Sequence, residues 1–351
     1  MFYFFQLFYG AVFHLFKKFG IVLFPLLLAL PVFISDFQIF KLTTALVYII
    51  ILLGLNIIFG YSGQYSIGHA AFALMGAYTA ACLNIGSIHG IILNGVFSVL
   101  MGGFASLAVG VAFGIPCLRM EGPYLALATQ SLAIVVPVII RSRYLEPFTK
   151  GSAGINIHPL SSPAWFLQHF PHFSDEKWQF YIVLIPTVVI VLILKNLLAT
   201  QLGRAFIAIR DNPTAAATLG IHVRKYKIIA FGLSSFLAGL GGAILVFLTG
   251  YLRYDSYTFI DSITYLIVIV VGGLASIEGC IVGSLVLVYQ SNINNLIGKC
   301  IPGAQDLHWA IFGSFVIIIM LFSEKLNHGG LGYLLKKYHR KLLYDIQGVL
   351  L

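Results

Sequence analysis

Charged residues are scarce in this sequence. Asp, Glu, Lys and Arg make up 9% of its 351 residues, against about 25% in an ordinary soluble domain. So few charged side chains cannot cover a water-soluble globule of this size, and 59% of the residues are hydrophobic. The mean hydropathy of +0.95 indicates that lipid surrounds most of the chain. The composition excludes a soluble globular protein and predicts an all-α, polytopic integral membrane protein.

Cysteine is also rare, and its placement excludes two kinds of site. The four cysteines are Cys82, Cys117, Cys280 and Cys300. No pair has the C-x-x-C spacing, so we expect neither a zinc site nor a disulfide framework. The phosphate-binding pattern G-x-x-x-x-G-K-[ST] is missing too, because Gly298-Lys299 is followed by Cys300. We therefore expect a chain that holds no metal or cofactor and does not hydrolyse ATP itself.

Apolar runs long enough to cross a bilayer are plentiful. A helical span needs about 20 residues. Ten candidates occur, at Phe19–Ile34, Leu42–Phe59, Ala70–Ile85, Ile91–Leu118, Pro123–Ile140, Phe180–Leu198, Ile228–Tyr251, Phe259–Ala275, Gly279–Leu296 and Leu307–Phe322. The first and third are short enough to be tilted, broken or only partly spanning. A signal peptide is the alternative for the first run, although no small-residue cleavage site follows it.

The distribution of basic residues sets the expected orientation. Most Lys and Arg residues fall on one side if both termini are cytoplasmic, so the net charge of +9 reflects topology rather than nucleic-acid binding. We expect an interfacial segment over residues 1–18, a transmembrane domain over residues 19–323 and a basic amphipathic cytoplasmic tail over residues 324–351. The transmembrane domain includes an extracytoplasmic loop at residues 141–179 and a cytoplasmic loop at residues 199–227.

A polar, glycine-rich stretch interrupts the apolar runs after Phe59. Residues 60–69 read Gly-Tyr-Ser-Gly-Gln-Tyr-Ser-Ile-Gly-His. Irregular backbone at membrane depth is tolerated only where protein buries it or where it lines a watery cavity. The stretch predicts a broken helix that restarts near Gly68 or His69, with free N–H groups facing the interior and suited to a carboxylate. The alternative is a tight helix crossing at small residues.

A second glycine-interrupted stretch lies in the other half of the chain, from Gly272 to Gly283. Paired interruptions in two halves of a membrane protein favour a central path for solute. Glu278 lies within this stretch and has two interpretations: an ionisable group in the path, or a turn residue facing cytoplasmic water.

The cytoplasmic loop contains the signature of a short helix. Asp211 or Asn212 followed by Pro213 starts a helix well, Ala215–Leu219 continues it and Gly220 ends it. A helix this short needs a surface to dock on. Its small side chains suit a groove on a partner protein, and the alternative is an interfacial helix that rests on lipid.

These residues resemble the membrane subunits of bacterial ABC importers for branched-chain amino acids, of the LivM type. The matching motifs are Gly54-Leu55-Asn56 through Gly76-Ala77-Tyr78, Gly122-Pro123-Tyr124 through Thr129, Gly203-Arg204-Ala205 through Arg210, Ala215-Ala216 through Gly220-Ile221, and Gly272-Gly273 with Gly279 and Gly283. The likeness spans roughly residues 56–287. It departs from the family at Lys150 and Ala153, within the stretch Thr149–Gly154.

The interrupted stretches and the resemblance together predict two sets of site residues. The substrate path would involve Ser62, Gly63, Gln64, Ser66, Gly68, His69, Thr129, Gly272, Gly273 and Ser276. The coupling surface for the ATPase would involve Gly203, Arg204, Arg210, Asp211, Ala215, Ala216 and Gly220. Thr214 stands where other importer families have Glu in this loop.

By the same likeness, the chain is a permease subunit in the plasma (inner) membrane of a bacterium. Its implied partners are a second permease subunit or a copy of itself, two ATPase subunits and a periplasmic amino-acid-binding protein. Three alternatives stay open. The same machinery would carry urea or short amides; an ion-coupled transporter would use His69 or Glu278; a membrane-embedded enzyme would bind metal through His158, His169 and His172 with Asp175 or Glu176.

Overall fold

Helices make up nearly all of the regular structure in the computed structural model, which describes residues 34–86, 95–117, 123–162 and 173–300 with the positions 31, 120, 168 and 313. The helices are α1 (Asp36–Leu55), α2 (His69–Asn84), α3 (Gly95–Cys117), α4 (Pro123–Arg141), α5 (Glu146–Thr149), α6 (Asp175–Ala199), α7 (Gln201–Asp211), α8 (Pro213–Thr218), α9 (Val223–Thr249), α10 (Phe259–Gly272) and α11 (Ile277–Cys300). A π-helical turn, Asn56–Tyr61, continues α1. Two short strands, β1 (Ile155–Asn156) and β2 (Tyr251–Leu252), pair in antiparallel fashion.

Five of these helices are long and apolar enough to cross a membrane. They are Asp36–Tyr61, Gly95–Cys117, Tyr124–Arg141, Asp175–Ala199 and Val223–Thr249. The eight predicted spans that fall on described residues each coincide with a helix, but α2, α10 and the apolar start of α11 are shorter than a full span. The structure therefore supports a polytopic membrane protein without establishing ten crossings. The first and last predicted spans, the interfacial segment and the tail lie almost entirely outside the described residues.

Helix α9 forms the centre of the bundle and packs against α1, α2 and α3. In its most apolar stretch 78% of the residues are buried, and in α1 the share is 72%. In the corresponding stretches of α3 and α4 only 28% of the residues are buried, and in α6 only 22%. These three helices therefore offer apolar surface to lipid or to another subunit, whereas α1 and α9 face protein.

Close approach of backbones at glycine holds the central helices together. A β-carbon added at Gly242 of α9 would lie 2.1 Å from the carbonyl oxygen of Ala73 in α2. One added at Gly76 of α2 would lie 2.2 Å from the carbonyl oxygen of Gly239. Membrane helices use small residues in this way because lipid supplies no hydrophobic force to drive the helices together.

Replacing Gly242 with Ala is therefore expected to destabilise the bundle by about 1–3 kcal/mol, the usual cost of overpacking. The added methyl group meets backbone, which cannot move aside cheaply. Gly95→Ala is the matched control, because its nearest contact would be an ordinary one of 3.7 Å, to Leu160. Thermal denaturation of the purified protein in detergent measures both variants, and equal melting temperatures for the two would contradict this packing.

The bundle has two distinct ends. The sheet end carries the β1–β2 sheet and the contact of the Ser174 hydroxyl with the Asp36 carboxylate, at 2.8 Å. The loop end carries the π-helical turn, helices α7 and α8, and the turn between α10 and α11. Helix α6 joins the two ends with 25 residues, which corresponds to roughly 37 Å. The described parts of the loop at 141–179 therefore lie at the opposite end of the bundle from the loop at 199–227.

Candidate functional site

The first interruption lies where the glycine-rich sequence predicts it. Helix α1 widens into the π-helical turn, the backbone is non-helical from about Gly63 to Gly68, and α2 begins at His69 with Gly68 as its N-cap. Gly63 adopts a left-handed conformation, with φ of +68°. At Gly68 an added β-carbon would lie 2.2 Å from the carbonyl oxygen of Thr129 in α4. A side chain is excluded at Gly68 by that contact and disfavoured at Gly63 by its backbone.

The N–H groups at the start of α2 are less free than the sequence suggests. The N–H of Ala70 donates to the hydroxyl of Ser262 in α10, at 3.0 Å, and the N–H of Ala71 donates to the carbonyl of Gly68. Just before the helix, the N–H of Ile67 donates to the Thr129 hydroxyl, also at 3.0 Å. These three N–H groups are therefore not available to an anion, because the Ser262 hydroxyl, the Gly68 carbonyl and the Thr129 hydroxyl already accept from them.

His69 is enclosed by its own bundle. Its side chain is buried, and its Nε2 donates to the carbonyl of Ile51 in α1, at 2.9 Å. An added β-carbon at Gly54 would lie 3.3 Å from the imidazole ring. The ring therefore fastens α2 to α1 beside the break.

Asn56 joins the two interruptions. Its Oδ1 accepts from the N–H of Ala275, and its Nδ2 donates to the carbonyl of Ser276, both at 2.9 Å. The Nδ2 also lies 3.2 Å from the Sγ of Cys280. Ala275 has a left-handed backbone, with φ of +54°, so the turn between α10 and α11 is tightly bent where Asn56 holds it. The two glycine-rich stretches that the sequence predicts as a pair are thus linked through Asn56. The predictions from the sequence did not include Asn56 as this link.

The turn between α10 and α11 packs closely on itself. An added β-carbon at Gly272 would lie 2.1 Å from the carbonyl oxygen of Gly279, and Gly273 has a φ of +121°. The Ser276 hydroxyl donates to Glu278 at 3.0 Å and accepts from the N–H of Gly279 at 3.1 Å. Glu278 is exposed at the loop end. This position favours the turn interpretation of Glu278.

Buried polar side chains line the first interruption. Ser62, Gln64 and Ser66 are each at most 3% exposed. The Gln64 amide donates to the Ser62 hydroxyl at 2.7 Å and to the carbonyl of Lys227 at 3.3 Å. Its Oε1 is buried with no hydrogen-bond partner among the described residues. Buried polar groups are normally satisfied, so this acceptor marks the segment as a candidate for contact with a polar solute.

Helices α7 and α8 form the loop predicted to couple to a partner. Asn212 caps α8, its Oδ1 accepting from the N–H of Ala215 at 3.0 Å, and Gly220 ends the loop's helical part with a φ of +82°. The short helix lies where the sequence predicts it. Helix α7 comes directly before α8, with only Asn212 between them, and the sequence did not predict it.

The residues assigned to coupling face different ways. Arg204, Arg210, Asp211, Ala215 and Gly220 are exposed, and Arg210 pairs with Asp211 at 2.9 Å. Gly203 and Ala216 are buried, and Ala216 is only 2% exposed. Leu219, which sequence reasoning did not single out, has 79% of its surface exposed. The large apolar side chain exposed at the end of α8 is therefore Leu219, the C-cap of that helix, whereas Ala216 is buried.

The sheet end carries an ion pair between Arg253 and Asp255 and a tightly turned loop. Hydrogen bonds from the Arg253 guanidinium, with Nε 2.6 Å from Oδ1, hold the pKa of the Asp255 carboxyl below its usual range. In the stretch Thr149–Gly154, Lys150 has a left-handed φ of +57°, and the Thr149 hydroxyl donates to the carbonyl of Ile140 at 2.8 Å. The residues that depart from the family pattern therefore belong to a folded turn.

The described residues contain no cluster of side chains that could bind a metal ion. No group of three His, Cys, Asp or Glu residues lies close enough there to hold an ion. His169 and His172 lie outside the described residues.

Interrupted helices within a bundle of apolar spans define a multi-pass membrane protein of the transporter class. The sequence model of the family described as "Branched-chain amino acid transport system / permease component" matches residues 39–322. The chain therefore belongs to the family of branched-chain amino acid transport permeases, and is a transport subunit by family.

Curated relatives of the chain carry matching names. The chain is 30% identical over 298 residues to the high-affinity branched-chain amino acid transport system permease protein LivM of Escherichia coli K12, covering 79% of this chain and 68% of the relative. It is 23% identical to a probable LivM of Methanocaldococcus jannaschii, covering 78% and 88%. The LivH protein of Escherichia coli K12 is 22% identical, covering 68% and 79%. No solved structure matches the chain.

Proposed function

We propose that this chain is a permease subunit of an ABC importer that translocates branched-chain or similar small amino acids across the bacterial plasma membrane. The family match over residues 39–322 carries the proposal, because it covers both interruptions and the α7–α8 loop. Energy comes from ATP hydrolysis on partner subunits, since the sequence lacks the phosphate-binding pattern of an ATPase. The chain itself is assigned no catalytic activity and no cofactor.

The proposed route for the solute passes beside the two interruptions that Asn56 joins. Polar groups inside a membrane bundle are costly unless they serve a solute or one another. Ser62, Gln64 and Ser66 supply such groups, and Gly63 and Tyr65 are exposed at the loop end. Movement of this segment would give a polar solute hydrogen-bonding partners, including the unpaired Oε1 of Gln64.

The proposed coupling surface is the outer face of α8 together with Leu219. Asn212 fixes the start of α8, and Ala216 anchors its inner face to the bundle. These contacts hold Leu219 outward, as an apolar side chain for a groove on an ATPase subunit. The sequence placed Ala216 on the coupling surface. In this proposal Ala216 supports α8 from its buried side instead.

The proposed assembly has two permease subunits, which are this chain with a second related permease or with a copy of itself. Two ATPase subunits bind the loop end, and a periplasmic amino-acid-binding protein delivers substrate to the sheet end. The loop end and both termini face the cytoplasm, as the distribution of basic residues favours.

Reconstitution tests this proposal. The chain is incorporated into lipid vesicles with a second permease subunit, two ATPase subunits and an amino-acid-binding protein from the same organism, and uptake of labelled leucine is measured. We expect uptake that requires ATP and stops when the ATPase subunits are omitted. ATP-dependent uptake of urea without leucine uptake would reassign the cargo. Leucine uptake by the chain alone, driven by an ion gradient, would overturn the ABC assignment.

A further inference from the structure

Arg210, in the last turn of α7, reaches across to the broken helix. Its Nη1 donates to the carbonyl of Gly60, in the π-helical turn, at 3.1 Å. The two residues are 150 positions apart in the sequence. The same guanidinium pairs with Asp211, whose Oδ1 lies 3.0 Å from the Arg210 Nε. Because a guanidinium is planar and carries several donors, it can hold both acceptors at once.

The stem of Arg210 also packs on the interruption. An added β-carbon at Gly63 would lie 2.8 Å from the Arg210 Cγ and 3.2 Å from its Cα. The backbone of the broken segment therefore rests directly on the α7 residue, and Gly63 leaves room for it. Gln64 makes a second contact next to this one, since its amide donates to the carbonyl of Lys227 in α9.

Helices α7 and α8 share one residue as their common end. Asn212 is the C-cap of α7 and the N-cap of α8. A displacement of α8 is therefore passed to the end of α7, where Arg210 lies. The contact from Arg210 to Gly60 and Gly63 continues this connection into the interrupted helix.

We infer that Arg210 is a positioning residue that transmits movement of the α7–α8 loop to the interruption of α1. The inference rests on the proposed function, and it differs from the expectation that Arg210 binds the ATPase. Its guanidinium acts inward on the Gly60 carbonyl, so its loss uncouples ATP hydrolysis from transport without removing the ATPase docking surface.

Transport per ATP hydrolysed tests this inference in the complete reconstituted transporter. We expect Arg210→Ala to keep ATP hydrolysis and subunit assembly, and to lower leucine uptake per ATP about tenfold or more, the size expected for loss of one charged hydrogen bond. Arg210→Lys keeps a donor and is expected to restore most of the ratio. Arg224→Ala, which removes an exposed arginine from the same loop, is the matched control and should leave the ratio unchanged.

An unchanged ratio in Arg210→Ala would overturn the inference while leaving the proposed function intact. An equal fall in uptake and ATP hydrolysis would also overturn it, because that result places Arg210 at the docking surface. A wild-type complex without ATP-dependent uptake would instead refute the proposed function.

A second measurement tests the same link with Arg210 left in place, so that it still applies if Arg210→Ala does not fold. Spin labels are placed on the exposed positions Tyr65, Thr218 and Ser152 through Cys substitutions, in pairs, in the full complex. On addition of ATP we expect the Tyr65–Thr218 distance to stay constant while both labels move relative to Ser152. A change in the Tyr65–Thr218 distance, or no movement relative to Ser152, would contradict the link.

Discussion

Replacing Leu219 with Asp is expected to abolish uptake while leaving the protein inserted in the membrane. The side chain is 79% exposed, so the fold does not depend on it. Burial of one leucine side chain in a groove contributes about 1.5–3 kcal/mol, and each 1.4 kcal/mol is tenfold in affinity. Binding of the ATPase subunits should therefore fall about ten- to a hundredfold, which co-purification and uptake assays measure.

A second substitution separates a protein groove from lipid as the surface that covers Leu219. Tryptophan is favoured at the membrane interface, so Leu219→Trp would support uptake if the side chain rested on lipid. A groove shaped for leucine excludes the larger ring, and we expect Leu219→Trp to lose uptake as well. Normal uptake by both variants would remove α8 from the coupling surface.

Replacing Asn56 with Leu is expected to give the largest loss of both stability and uptake among substitutions in α1 and its π-helical turn. The change leaves the N–H of Ala275 and the carbonyl of Ser276 without their partner. Each buried group left unsatisfied costs about 1–3 kcal/mol. The two interruptions then separate, and both the thermal stability in detergent and the uptake rate should fall sharply.

Thr43→Val is the matched control for Asn56→Leu. Thr43 is a buried polar residue of α1 as well, but its hydroxyl donates within its own helix, to the carbonyl of Ile39 at 2.9 Å. Valine has nearly the same shape, so we expect a small effect on melting temperature and on uptake. If the two variants behaved alike, Asn56 would have no special role in joining the interruptions.

Local features of the sequence predict local features of the structure well. Apolar runs mark the helices because lipid and protein interior demand the same composition. The glycine-rich stretch marks the broken helix because only such residues tolerate its turns and close contacts, as at Gly63 and Gly68. Asn212-Pro213 marks the start of α8 because the cap and the fixed proline backbone act within one turn.

Contacts between distant residues could not be predicted in the same way. Asn56 and Ala275 lie 219 positions apart, and nothing in either local sequence indicates the other. The same holds for Ser262. Its hydroxyl accepts a hydrogen bond from the N–H of Ala70, which is therefore not available to an anion. Which side of α8 faces outward depends on packing against α9, so Ala216, which composition placed on the coupling surface, is buried, and Leu219, which received no role, is exposed. An asparagine within an apolar run, as at Asn56, is the signal that would have identified the link.

An ATPase can act on the α7–α8 loop only if that loop faces the cytoplasm. Accessibility labelling tests this orientation in intact cells, with single cysteines at the exposed positions Thr218 and Ser152 in a variant lacking the four native cysteines. We predict that a membrane-impermeant thiol reagent labels Cys at position 152 in intact cells and labels Cys at position 218 only after the membrane is opened. Labelling of position 218 from outside intact cells would contradict the account.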